Sequence, residues 1–240
     1  MFLHRHPITQ EPYLRLPSPH QSIIITPFRA PNPEDEAVMV RSMNDPLVAA
    51  WLIGPPFPYH TEDATFWINM SFAQCAEILK EVDTQQYVSG SPFRCIREIL
   101  EEDELGVIQK DVLIGGIDVP EHPFVEFPEG SKEREDGVKR NGELETGSTE
   151  KVWGMGDWLD PAYHGRGIMT AVVKTIIHDW AIPRMNARHF KVSAFVGNQG
   201  SVRVFEKLGF QHYAKFDDWV QMPPNRGGGK RSLHILSLDV

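Results

Sequence analysis

The sequence predicts an α+β domain, a mixed and largely antiparallel sheet flanked by helices, on three grounds. A short β-branched run near the N-terminus leads into well-signalled helix starts. A strand-rich stretch from Phe93 to Val119 is broken by turn signals that suit antiparallel pairing. Late in the chain a strand, a Gly-x-Gly turn and an apolar helix follow one another. No internal repeat is visible.

Residues 1–21, rich in Pro and His, read as an N-terminal tail, with His4 and His6 solvated because no Cys/His partner set lies near them. Residues 22–240 read as a single domain. Ser22-Ile23-Ile24-Ile25-Thr26-Pro27 is a first strand closed by proline. Asn32-Pro33-Glu34-Asp35-Glu36 combines an N-cap residue, Pro at the first helical position and acids in the first turn, so a helix runs to about Met43. A second helical stretch from Asp45 stops at Gly54-Pro55-Pro56-Phe57-Pro58-Tyr59, a rigid aromatic loop, and Thr61-Glu62-Asp63-Ala64 opens a longer helix through Leu79.

Strands are expected over Phe93–Ile99 and Val107–Val119, the second interrupted by Gly115-Gly116. Residues 121–150 hold nine acids, four bases and four glycines with few large apolar groups, which reads as an acidic, mobile insertion between two strands. Lys151–Leu159 reads as one strand, and Asp160 to Gly167 as a tight connection into a helix that Pro183 ends. Phe190–Val196 is a buried strand. Asn198–Leu208 is a short helix closed by Gly209, with Phe210 supplying the capping contact. Strands at about 211–221 and 232–239 finish the chain.

Composition excludes several function classes. With 41% hydrophobic residues, including 6 Trp, 5 Tyr and 13 Phe, the chain can build a sizeable core and is not disordered. Its net charge of −9 repels a polyanion and argues against nucleic-acid binding. No run approaches the roughly 20 apolar residues of a membrane span, and His4, Arg5, His6, Pro7 and Pro12 stand where a signal peptide needs its apolar centre. Cys75 and Cys95 lie in apolar surroundings without ligand or redox spacing, which fits a reducing compartment. The expectation is a soluble cytoplasmic protein, monomer or homodimer, with no metal.

A strand followed by Gly165-Arg166-Gly167 and an apolar helix can present free backbone N–H groups and a helix dipole to an anion, because glycine lets a phosphate approach the main chain. A plain tight turn explains the same residues. A second stretch, Val196-Gly197-Asn198-Gln199-Gly200-Ser201-Val202-Arg203-Val204-Phe205-Glu206-Lys207-Leu208-Gly209-Phe210, adds weight. Together with Trp158-Leu159-Asp160-Pro161-Ala162-Tyr163-His164-Gly165-Arg166-Gly167-Ile168-Met169, it closely resembles the GNAT superfamily of acyl-CoA-dependent N-acyltransferases, in particular the RimJ/RimL-like subgroup. The order of elements is similar over about residues 22–240.

The resemblance implies a sheet splayed open in the middle, with acetyl-CoA as co-substrate in the cleft and a primary amine as acceptor, either a protein N-terminus or a small molecule. It places Trp158 and Leu159 against pantetheine and His164, Gly165, Arg166, Gly167, Ile168 and Met169 around the pyrophosphate. It also brings Asn198 to the pantetheine arm, although Asn198 equally reads as the N-cap of the following helix. Phe57 and Tyr59 would form a wall of the acceptor site, or else plug the core beneath a turn.

Three departures from the family pattern bear on chemistry. Ala162 replaces a position often Gln or Arg. Phe205 stands where many members carry a Tyr that protonates the leaving thiolate, which leaves Ser201 as the substitute, or as a first-turn serine bonded to backbone. Gly154-Met155-Gly156-Asp157 replaces Glu-Ile-Gly-Tyr, so Asp157 becomes the candidate base, its carboxylate made more basic by desolvation. The competing reading pairs Asp157 with an Arg such as Arg97 or has it held by backbone donors. His122, Glu150 and Glu98 are reserve bases, and Cys75 or Cys95 as a covalent acyl carrier would need an activating His. The expected activity is an N-acetyltransferase. A GNAT-fold acyl-CoA binder without strong catalysis is the alternative, and a Rossmann domain is disfavoured because no βαβ series precedes the motif.

Overall fold

Two sheets meet at one gap, and that gap organises everything else. The computed structural model describes residues 3–240. One sheet has the order β1 (His4–Arg5), β2 (Pro12–Arg15), β3 (Ile23–Thr26), β4 (Cys95–Glu102), β5 (Ile108–Asp118) and β7 (Gly156–Leu159), with each neighbouring pair antiparallel where the register is defined. The other has the order β6 (Val152–Trp153), β8 (His189–Phe195), β10 (Lys230–Asp239) and β9 (Gln211–Gln221). Its β8, β9 and β10 are antiparallel, whereas β6 runs parallel to β8. The mixed α/β architecture expected from the sequence is present.

Local signals set the helices. In α1 (Pro33–Asn44) the Asn32 side chain accepts the Asp35 N–H at 2.9 Å, Pro33 opens the helix and three acids sit in its first turn. A single short turn, α2 (Pro46–Ala49), follows from an Asp45 cap. In α3 (Thr61–Val82) the buried positions Ala64, Ile68, Ser71, Cys75, Ile78 and Val82 alternate steps of four and three, the stripe of a helix lying on a sheet. Its C-terminal part, Ile78 and Val82, faces the main core with Phe93, Ile96 and Ile114, while Ala64 and Ile68 pack with Met39, Tyr59 and Leu113.

Four sequence expectations need correction. Residues 1–21 are not a free tail: β2 continues the sheet beside β3, Tyr13, Leu14 and Leu16 are buried, and a His6 ring nitrogen lies 2.9 Å from the Ile108 carbonyl. His4 stacks on Tyr13. The proline- and histidine-rich composition concealed a strand whose apolar side chains find burial only against distant residues. Gly115-Gly116 does not interrupt β5, which runs through both.

Pro183 does not end the helix after the Gly-x-Gly turn. Helix α5 (Ile168–Thr175) widens into a π-helical turn at Ile176–Ala181, where the Ile182 N–H reaches back to Ile177, and continues as α6 (Ile182–Met185). A proline inside a regular helix lacks its N–H and meets the carbonyl four residues back, and the widened turn relieves both problems. The helix ends instead at Asn186, in the left-handed conformation.

The insertion at 121–150 is structured. It contains α4 (Lys132–Glu143), capped by Ser131. Gly137 lies beneath the Phe124 ring, where a Cβ would come to 3.1 Å. The buried Asn141 side chain accepts the Val152 N–H at 2.8 Å and donates to the Val152 carbonyl at 3.0 Å, acting as a strand partner for β6. Asn141→Ala is expected to remove the side-chain acceptor of the Val152 N–H, while the Val152 carbonyl keeps the His122 N–H, and to lower stability by about 1–3 kcal/mol, read from the urea midpoint. An unchanged midpoint would mean that the insertion is only loosely attached.

Candidate active site

The expected strand Lys151–Leu159 is divided between the two sheets. Its first part is drawn toward the insertion: the His122 N–H bonds the Val152 carbonyl, and the Gly154 N–H bonds the Pro120 carbonyl. Its second part, β7, pairs with β5 through Gly115↔Leu159 and Gly116↔Trp158. Since β6 meets β8 only at Val152↔His189 and Trp153↔Phe190, β7 and the rest of β8 part company. The opening is a cleft of about 1320 Å³ that has Asp157, Trp158 and Leu159 on one side and Ser193, Ala194 and Phe195 on the other.

The glycine pair of β5 makes room for this arrangement. A Cβ on Gly116 would lie 2.6 Å from the Trp158 indole nitrogen, and one on Gly115 would lie 2.6 Å from the Trp158 carbonyl oxygen. Glycines inside a strand often mark such a close approach, and that signal was available in the sequence.

At the end of β7 the buried Asp160 clamps the turn. One carboxylate oxygen accepts the Ala162 N–H at 3.0 Å, and the other accepts Arg41 at 2.6 Å and the Ser42 hydroxyl at 3.2 Å. Burial opposes its charge, yet these donors hold it below the usual carboxylate range. Gly165 and Gly167 take φ of +73° and +79°, a left-handed region in which other residues are strained. Gly167 occupies the N-cap of α5 with no side chain to cap the helix, leaving first-turn N–H groups at Ile168 and Met169 without the usual side-chain acceptor. A His164 ring nitrogen donates to the Leu159 carbonyl at 2.7 Å, fixing the turn to the strand.

The cleft brings together Asp157, Trp158, Leu159, His164, Gly165, Gly167, Ile168, Met169, Asn198 and Ser201. Arg166 is not among its walls: it is exposed, with its guanidinium 5.1 Å from the Tyr163 ring. Asn198 does cap α7 (Gln199–Glu206), accepting the Ser201 N–H at 3.2 Å. Phe205, the residue without a transferable proton, is buried beside it and packs edge-on against Phe210 across the left-handed Gly209.

Burial pushes the Asp157 carboxyl up to about 6, and no hydrogen-bond or ion-pair partner meets it among the described residues. The pairing with Arg97 is excluded because Arg97 is engaged by Asp35, Asp111 and Thr26. None of the reserve bases lines the cleft. Glu98 accepts the Tyr163 hydroxyl at 2.7 Å, Glu150 is exposed, and burial beside Lys191 and Arg134 keeps His122 neutral despite Glu126. Both cysteines are buried, and desolvation raises both thiols, Cys95 to about 12, which suppresses the thiolate an acyl carrier needs.

Phe57 and Tyr59 do not form the expected wall. Tyr59 is 4% exposed, packs with Val38, Met43 and Ile68, and has its backbone held on both sides by Asn44. Phe57 lies under the Arg226 guanidinium at 5.1 Å. The stiff prolines place these rings in packing, while the preceding residues Leu47, Trp51 and Ile53 reach the cleft.

A family model described as an acetyltransferase (GNAT) domain matches residues 135–211. An acetyltransferase (GNAT family) from Bacillus anthracis superposes with a TM-score of 0.59 at 12% identity, covering 95% of this chain and 98% of that one. The chain has the GNAT fold. RimJ from Mycobacterium smegmatis, solved in complex with CoA-disulfide, superposes with a TM-score of 0.53 at 13% identity over 95% of this chain and 86% of its own. In sequence, the chain is 38% identical over 56 residues to a probable N-acetyltransferase, YjcK, of Bacillus subtilis. That alignment takes in 23% of this chain and 30% of the relative's length. The GNAT model begins within α4 and runs through the glycine turn and α7 to the first residue of β9, so it spans both motifs at the cleft. No cluster of three or more His, Cys, Asp or Glu fit to hold a metal exists among the described residues.

Proposed function

We propose that this chain is an acyl-CoA-dependent N-acyltransferase of RimJ/RimL-like type that moves acetyl from acetyl-CoA directly to a primary amine. One observation carries the reading: a single cleft joins an uncapped, glycine-opened helix start, suited to a pyrophosphate, to a desolvated carboxylate on a free strand edge. Ile168 and Met169 N–H groups would hold the pyrophosphate, and β7 and Asn198 the pantetheine arm. The two free buried thiols fit work in the reducing cytoplasm.

The Asp160 N–H bonds the Ile114 carbonyl, so by strand alternation the Leu159 N–H points to the free edge of β7. There it can donate to the thioester carbonyl oxygen as negative charge develops. Asp157, directly or through water, takes one proton from the acceptor ammonium; the amine nitrogen then forms its bond to the acyl carbon as the carbon–sulfur bond breaks, and the second proton it sheds goes to the departing thiolate, leaving the amide and free CoA. The Ser201 hydroxyl donates a hydrogen bond to the departing thiolate. Most of the rate comes from holding the two reactants in line.

The overall charge of −9 favours a cationic acceptor on approach. Release of free CoA, measured across a panel of amines and peptide N-termini, tests the function. Phe205, which has no proton to donate, favours a second reading as an acyl-CoA binder with little catalysis; CoA binding without thiol release in any amine would select it. Ser201→Ala is expected to lower turnover about ten-fold or more with little change in CoA affinity. An equal loss in both would reduce Ser201 to a structural part of the α7 start.

A further inference from the structure

The cleft exceeds the roughly 300–1,000 Å³ that suits one small ligand, and its composition changes along its length. Near α5 and α7 its walls are glycine backbone and helix start. On the side toward β9 and the insertion they are apolar: Trp51, Val125, Trp219, Val220 and Leu233 reach the cleft from four separate segments of the chain. These residues belong to a small apolar cluster around Phe195, Met222 and Ile235, distinct from the main core and left open on its cleft side.

Trp219 occupies this wall through an irregularity that regular pairing would not produce. In the β9–β10 ladder Val220 pairs with Arg231 and Phe216 with Leu233, so residues 217–219 stand opposite Ser232 alone. The bulge includes Asp218 at φ +48°, an uncommon conformation for a residue other than glycine, with its N–H held by the Ser232 hydroxyl at 3.1 Å. Bulges of this kind re-aim side chains beside functional sites. The Trp219 indole N–H then donates to the Val125 carbonyl at 2.7 Å, bracing the ring against the insertion. Opposite in origin, Trp51 lies against Gly197, where a Cβ would come 3.5 Å from its ring, one residue before Asn198.

We infer that Trp51 and Trp219 wall the acceptor subsite, and that it takes a primary amine carried on an apolar, preferably aromatic, body. This rests on the acyltransfer reading above. The occupant follows from continuity: the apolar wall opens into the same cleft as Asp157, so an amine delivered there has its attached body against the two indoles. Charge does not select the ligand at this end, because Glu129 and Asp218 line it together with Arg134 and Lys230. The discriminating feature is apolar surface fixed in place before binding, which costs little ordering.

The test uses the full chain with saturating acetyl-CoA and measures free CoA release. The acceptors are phenethylamine, tripeptides beginning with Phe or Leu, tripeptides beginning with Ala, and spermidine. Burying one aromatic group predicts about a ten-fold or larger advantage in kcat/KM for phenethylamine or the Phe and Leu peptides. The small amine and the peptides form separate arms and distinguish a metabolite from a protein N-terminus. Trp51→Ala and Trp219→Ala should erase the advantage through KM, with CoA affinity by calorimetry unchanged; Trp219→Phe, which keeps a ring, should retain part of it. Turnover with Ala peptides or spermidine preferred would overturn the subsite while leaving the acyltransferase reading intact. CoA binding with no amine turned over would overturn both. The wild-type panel decides even if an alanine variant fails to fold.

Discussion

Gly167→Asp is expected to abolish useful acetyl-CoA binding while the protein stays folded. The position is the left-handed N-cap of α5, and among the described residues, its own chain neighbours aside, an added Cβ would meet just the His20 ring nitrogen, at 3.7 Å. Aspartate tolerates the left-handed region better than most residues, so the cost to folding is small. Its carboxylate, however, would sit at the helix start proposed for the pyrophosphate. At an effective dielectric near 20, like charges about 4 Å apart repel by about 4 kcal/mol, and affinity should fall roughly 10²- to 10³-fold. Isothermal calorimetry reads the loss, and circular dichroism with a melting curve checks the fold. Gly167→Ala separates backbone strain from charge, since it adds the Cβ alone. Undiminished CoA affinity in the aspartate variant would move the cofactor site elsewhere.

Asp157→Asn should lower the maximal rate by about 10²-fold or more and leave CoA affinity nearly unchanged. In the parent protein the rate should climb with pH through about 6, as the desolvated carboxyl loses its proton and becomes a base. The asparagine variant should lack that acid limb. An unaltered limb would hand the role to water or another group.

The same substitution carries a stability consequence of opposite sign. A carboxyl whose folded value is raised to about 6 from 3.8 binds its proton more tightly in the folded state. Its contribution is therefore most favourable below the unfolded value and is lost as pH rises through the folded one. Asparagine has no such dependence, so the variant should melt higher relative to the parent at pH 7 than at about pH 3.5, where the carboxyl is largely protonated in both states. A relative difference independent of pH would mean that Asp157 is not desolvated.

The two motifs and the helix starts were legible in the sequence because their causes are local. Asn32-Pro33 and Asn198 cap helices through bonds to residues three positions on, and Gly165, Gly167 and Gly209 adopt conformations that their own lack of a Cβ permits. The Gly115-Gly116 pair was visible but misleading. Its cause is Trp158 some forty residues later, the backbone carbonyl at Gly115 and the indole at Gly116, and nothing near the pair in sequence says whether a strand glycine is a break or a space for something else.

What the sequence by itself determined was the glycine turn, the helix it opens, the second motif and the class of fold they belong to. Only the tertiary structure decided how Lys151–Leu159 divides, because two partners compete for its backbone: Pro120 and His122 take Val152 and Gly154, and β5 takes β7. Each side of Met155 carries a glycine, a tryptophan and a branched apolar residue, so the splay that makes the cleft cannot be read from the strand alone. Burial decided the fates of Tyr59 and Trp51 in the same way. Both are aromatic residues near the Pro55–Pro58 turn, yet Asn44 binds the Tyr59 backbone and seats its ring in the core, while Trp51 rests on Gly197 at the cleft. Position along the chain cannot separate them, because the groups that sort them lie on other elements and meet only once the chain has folded.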